Sequence, residues 1–173
     1  SAVFVIPFLL FSAWAGALPQ LRRFRRGLNE ALYAAYVWAL FWVLAPLVWS
    51  MVAASGRPQH TRPLIHRAAQ LILRLTRTPL MVSGLEHLPR TPCVLAVNHA
   101  SYLDGILFSA ALSADFPHAF VAKREFLGHF VSRLFLRGIG AVFVERFDAQ
   151  LSVEHVEDVA GALEQGASPV FFP

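Results

Sequence analysis

The sequence predicts an α/β protein in which N-terminal membrane helices precede a mostly parallel sheet with flanking helices, incomplete at its C-terminus. Two observations carry that expectation. Residues 1–54 hold two long apolar tracts, and from Leu80 onward short apolar runs alternate with segments of helical period. Turn signals separate those runs at Ser83-Gly84, Leu88-Pro89, Gly138-Ile139-Gly140 and Gln165-Gly166. Strands alternating with helices build largely parallel sheets. At 173 residues the chain allows one globular domain with length to spare.

Composition points to a membrane. The hydrophobic fraction is 56% and the charged fraction 15%, against roughly a quarter charged in ordinary soluble domains. The net charge of +4 conceals an asymmetry. Residues 1–103 hold ten arginines and two acidic groups, whereas residues 104–173 hold five basic and nine acidic groups. Arginines interleaved with apolar runs suit an anionic lipid surface, which attracts each by about 1 kcal/mol. Nucleic-acid binding fits poorly, because the aromatic residues lie in apolar runs rather than in a polar basic groove.

Taken in order, Ala2–Leu18 is an uncharged tract of 17 residues, at the short limit for spanning a bilayer. Its charges follow rather than precede it, which argues against a signal peptide. Ala31–Ala54 is a 24-residue uncharged tract containing Trp38, Trp42 and Trp49, long enough to cross with some tilt. Pro46 is expected to kink or divide it. Arginines flank the tract on both sides, so it either crosses with one basic flank outside or folds back near Pro46. Thr61–Thr78 reads as an amphipathic helix with Leu64, Ala68, Leu71, Ile72 and Leu75 on one face. That face either lies among headgroups or covers the sheet that follows. Strands are then expected at Leu80–Ser83, Cys93–Val97, Ala119–Ala122, Ala141–Val144 and Pro169–Phe172, with helices at Asp104–Leu112, Arg124–Leu136 and Ser152–Gln165. The chain thus divides into anchoring helices with a basic linker (1–60), an amphipathic helix (61–79) and an α/β domain (80–173).

The chemistry gathers at strand ends, where sites of such sheets form. His99 and Asp104 stand five positions apart in Asn98-His99-Ala100-Ser101-Tyr102-Leu103-Asp104, directly after the Cys93–Val97 run. An imidazole held by a carboxylate at one nitrogen can take a proton from a hydroxyl with the other. No G-x-S-x-G turn occurs to supply a serine nucleophile, so the attacking oxygen is expected to belong to the substrate. Lys123 and Arg124 follow the third strand, and Glu145-Arg146 the fourth. The other histidines show no metal-ligand spacing, and the single Cys93 excludes an internal disulfide and a cysteine-only zinc site.

Asn98 to Asp104 resembles the N-H-x-x-x-x-D box of the glycerolipid acyltransferases, the superfamily of the 1-acyl-glycerol-3-phosphate acyltransferases. Gly140-Ala141-Val142-Phe143-Val144-Glu145-Arg146 is similar to that family's second box. Phe171-Phe172-Pro173 resembles the opening of the third, F-P-E-G-T, cut after its proline, and Val121-Ala122-Lys123-Arg124-Glu125 resembles its A-K-x-E segment. The resemblance spans residues 80–173 and implies a glycerol-3-phosphate acyltransferase-like fold. It implies His99 as general base and Asp104 as its orienting acid. Arg146 and Lys123 would hold the acceptor phosphate, with Asn98 and Ser101 supporting the turn. The donor would be acyl-CoA or acyl-carrier protein, with no cofactor and no metal. The acceptor would be 1-acyl-glycerol-3-phosphate, with glycerol-3-phosphate or another lysophospholipid as the alternative. An inactive lipid-binding or anchoring module remains the reading from a different class. The expected surroundings are membrane lipids, at a bacterial inner membrane with the catalytic domain cytoplasmic, without nucleic acid. Fusion to further domains is left open.

Overall fold

The computed structural model describes residues 5–101, 103–144 and 152–172, with side chains from Arg23 onward in the first helix and from Val156 onward in the last. Among the described residues there are five α-helices: α1 (Val5–Ser55), α2 (Pro58–Leu75), α3 (Asp104–Ala111), α4 (Phe130–Gly138) and α5 (Ser152–Glu164). Four strands, β1 (Leu95–Ala96), β2 (His118–Lys123), β3 (Val142–Val144) and β4 (Ser168–Phe171), form one sheet of order β1-β4-β2-β3. Every pairing is parallel. The expected α/β class with a parallel sheet and flanking helices is therefore observed.

The chain divides into two compact units, residues 1–43 and 44–173. In the first unit every described residue belongs to α1. Arg23–Ser55 is long and apolar enough to cross a membrane by length and composition, with a mean hydropathy of 1.9. Phe24, Leu32, Trp38 and Trp42 are all at least 60% exposed, an apolar surface that no described part of the chain covers. The two expected N-terminal tracts are one helix, and Pro46 neither divides it nor turns it back. A proline removes one hydrogen bond and clashes with one carbonyl, and a long run of good helix formers on both sides can absorb that cost.

The second unit begins with the last turns of α1. Gly56, at φ +56°, ends the helix with its N–H on the Val52 carbonyl, and Pro58 starts α2 where no N–H is required. Val52 is fully buried against Gly138, where a Cβ would stand 2.5 Å from Val52 Cγ1. Thr61 Oγ1 donates to the Gly138 carbonyl at 2.9 Å, and Trp49 Nε1 to that of Val131 at 3.0 Å. These contacts clamp α4 against α1 and α2. Fully buried Val170 in β4 pairs with Leu95 on one side and Phe120 on the other, which puts the centre of the sheet in the core.

Four expectations are corrected. Leu80–Ser83 pairs with no strand, and Met81 is 96% exposed. A short apolar run bounded by turn residues reads as a strand by pattern, but ladder bonds need a neighbour. Arg124–Leu136 is two elements, a 3-10 turn over Arg124–Gly128 and then α4, because His129 is extended (φ −100°, ψ 118°). The expected apolar face of α2 is only partly used. Thr61, Ala69 and Thr76 are buried, while Leu71 and Leu75 are 43% and 39% exposed. Small and polar residues pack where a neighbouring backbone comes close, which leaves the larger leucines outside. β1 covers only Leu95–Ala96 of the expected Cys93–Val97, although the Val97 N–H still reaches the Phe171 carbonyl at 2.9 Å.

Candidate active site

All carboxyl ends of a parallel sheet lie on one edge, and His99 follows β1 there. The turn from β1 into α3 is built by its own backbone. The Asp104 N–H donates to the Ser101 carbonyl at 3.0 Å, and the Leu103 N–H to Ser101 Oγ at 3.2 Å. This folds the chain so that Asp104, the first residue of α3, turns its carboxylate back over residues 99–101. Oδ2 of Asp104 accepts the N–H groups of Ala100 at 2.7 Å and Ser101 at 2.8 Å, and lies 3.0 Å from His99 Nδ1.

The Ser101 N–H, then that of Ala100 and the His99 imidazole, hold the Asp104 carboxyl below its ordinary pKa, against an opposing push from desolvation. An ionised carboxylate is acceptor-only, so His99 Nδ1 must carry the hydrogen, and in the neutral imidazole that tautomer makes Nε2 the acceptor. The His99 side chain is 40% exposed and that of Asp104 17%, so the imidazole is open while its partner is shielded. Phe172, just past β4, stands with its ring centroid 5.2 Å from that of His99. Phe172 also stacks on Phe120 and meets Phe108 edge-on, an aromatic wall running from α3 across the sheet to the imidazole.

The other expected site residues are placed differently from one another. Lys123 ends β2, opposite Val144. Its strand lies two positions from β1, roughly 10 Å at ordinary strand spacing. Alternation along β2 also sends Lys123 to the face opposite Phe120. Arg124 opens a five-residue 3-10 turn. Arg146 lies outside the described residues. Asn98 is exposed, and Ser101 makes the turn bonds given above. The sequence reading missed Phe172 as a wall and the Ala100 and Ser101 amides as carboxylate donors. The spacing of Asp104 from a small-residue turn is the one signal that could have shown the latter.

A groove of about 460 Å³ lies elsewhere in the same unit, lined by Pro58, Arg62, Arg124, Gly140, Asp158 and Gln165 among others, and neither His99 nor Asp104 borders it. Among the described residues no group of three His, Cys, Asp or Glu could hold a metal ion.

Comparison with known proteins points to one family. A family profile described as Acyltransferase matches residues 79–173. A chloroplast 1-acyl-sn-glycerol-3-phosphate acyltransferase of Brassica napus is 29% identical over 141 residues, covering 75% of this chain and 40% of the relative. The chain thus spans about two fifths of that relative's length. No solved structure matches it. The profile covers more than half of the residues, including the whole His99–Asp104 turn and every strand. The chain belongs to the glycerolipid acyltransferase family.

Proposed function

We propose that the chain transfers a fatty acyl group from an acyl thioester, acyl-CoA or acyl-carrier protein, to the free hydroxyl of 1-acyl-glycerol-3-phosphate at a membrane, a step of phospholipid biosynthesis. The observation that carries this reading is the His99–Asp104 pair, bonded through Nδ1 with Nε2 left available. His99 Nε2 takes the hydroxyl proton as the acceptor oxygen attacks the thioester carbonyl carbon. The tetrahedral intermediate collapses with cleavage of the C–S bond, and the imidazolium returns its proton to the leaving thiolate. Ester and thiol are the products. Asp104 fixes the tautomer and stabilises the imidazolium, as the acid does in a serine triad whose serine is replaced by the substrate's own oxygen.

Arg146 is the proposed holder of the acceptor phosphate, since a guanidinium can bind two phosphate oxygens at once. Lys123, two strands from His99 and on the other face of β2 from Phe120, is left out of that clamp. The apolar surface of Arg23–Ser55 supports a membrane location, with residues 1–60 as anchor and 80–173 as catalytic domain on the cytoplasmic side of a bacterial inner membrane. The deciding experiment is an acyl-transfer assay across several lyso acceptors, glycerol-3-phosphate and both thioester donors. Turnover greatest with 1-acyl-glycerol-3-phosphate supports the reading. Greatest turnover with another acceptor redirects it, and none with any pair overturns it.

A further inference from the structure

α2 precedes the residues matched by the family profile, yet one of its faces is committed to α3. Arg62, His66 and Gln70 recur every four residues, so their side chains leave α2 along a single stripe. All three donate to backbone carbonyls of the α/β domain. Arg62 Nε reaches the His118 carbonyl at 3.1 Å, His66 Nδ1 that of Ser109 at 3.0 Å, and Gln70 Nε2 that of Ala110 at 3.5 Å. A carbonyl accepts only, so His66 carries its hydrogen on Nδ1.

Ser109 and Ala110 stand in the last turn of α3, where carbonyls have no partner within their own helix. Both residues are 5% exposed, so water does not replace α2 as their donor. The other end of this helix is Asp104, whose Oδ2 holds His99. Eight helical residues span about 12 Å, a short rod that passes a tilt at one end to the other.

We propose that His66, assisted by Gln70, is a positioning residue of the acyl-transfer site. Its bond to Ser109 seats α3 and so sets the Asp104 carboxylate against His99. The inference rests on the proposed role of that pair.

The test uses the whole chain in detergent or lipid. His66→Leu removes the donor and keeps the bulk, and His66→Asn puts an N–H back where Nδ1 was. His66→Leu is expected to lower kcat about 10- to 100-fold, the range that a small misplacement costs, with the KM values of both substrates little changed. His66→Asn is expected to recover most of the loss. Nitrogen NMR is expected to show His99 protonated on Nδ1 in the wild type and in His66→Asn, and a tautomer mixture in His66→Leu. Should His66→Leu fail to melt cooperatively, Gln70→Leu carries the same comparison with a smaller loss. A folded His66→Leu with unchanged kcat and an unchanged His99 tautomer overturns the proposal, as does a folded His66→Asn as impaired as His66→Leu. If the wild type shows no turnover, the functional reading fails, while the tautomer comparison still decides the positioning.

Discussion

The ring of Phe172 lies 5.2 Å from the imidazole of His99 and is tilted 53° to it. This contact ties the end of β4 to the end of β1, and it walls one side of a ring whose Nδ1 is already held by Asp104. Phe172→Ala should lower kcat by about tenfold by freeing the imidazole, and Phe172→Leu should restore part of the loss. Steady-state kinetics of the two variants check this, and wild-type turnover in Phe172→Ala would remove the wall from the account.

His99→Ala should lower turnover by at least about 10²-fold, the usual worth of a general base, while membrane association is unchanged. Activity above a tenth of the wild type would show that another group takes the proton. Asp104→Asn should cost a comparable factor, because an amide no longer fixes the tautomer that leaves Nε2 free.

Asp104 also makes an acid-limb prediction. Its carboxyl is held below the ordinary value, first by the Ser101 N–H and then by the Ala100 N–H and His99. A group with a depressed folded pKa binds fewer protons folded than unfolded. Its stabilising effect is therefore complete above the unfolded value of about 4, and it is lost as the pH falls through the lower folded value. Denaturant melts between about pH 5 and 2 should show a shallower loss of stability in Asp104→Asn than in the wild type. Parallel curves would contradict the clamp.

Arg146→Ala should raise the acceptor KM more than that of the acyl donor, with kcat less affected, if its guanidinium holds the acceptor phosphate. Initial rates with each substrate varied in turn measure the split. Equal changes for both substrates would assign the arginine elsewhere.

Gly138→Ala should destabilise the domain by roughly 1–3 kcal/mol. Its Cβ would stand 2.5 Å from Val52 Cγ1 and 3.1 Å from the Val52 carbonyl oxygen, in a site closed on the other side by the Thr61 bond. Val52→Ala in the same background should recover much of the loss, since it removes the closer obstacle. A melting temperature unchanged in Gly138→Ala would show that α4 can shift away from α1.

Much of this was legible in sequence because it was local. The His99–Asp104 spacing fits one turn closed by its own backbone bonds, so no distant residue is needed to recognise it. Strands β2, β3 and β4 fall within two residues of their expected ends, since apolar runs bounded by Gly and Pro leave few alternatives. The misses share the opposite character. Leu80–Ser83 has the residues of a strand, but pairing depends on what lies beside it. α2 was given the face with the most leucine, although packing on a nearby backbone selected Thr61, Ala69 and the donors Arg62, His66 and Gln70. Lys123 shares an edge with His99 but stands two strands away, which only the order β1-β4-β2-β3 reveals.

That strand order also sets a timetable. Among the described strands β1 bonds only to β4, the one furthest from it in sequence, while β2 and β3 are sequence neighbours that can pair as soon as both are made. On a ribosome His99 therefore waits, with its strand undocked, until more than seventy further residues have emerged and β4 has inserted between β1 and β2. Long-range parallel pairing of this kind is slow to form. The His99 ring meets that of Phe172 only once β4 has docked, so its surroundings are completed by the latest-made of the described strands.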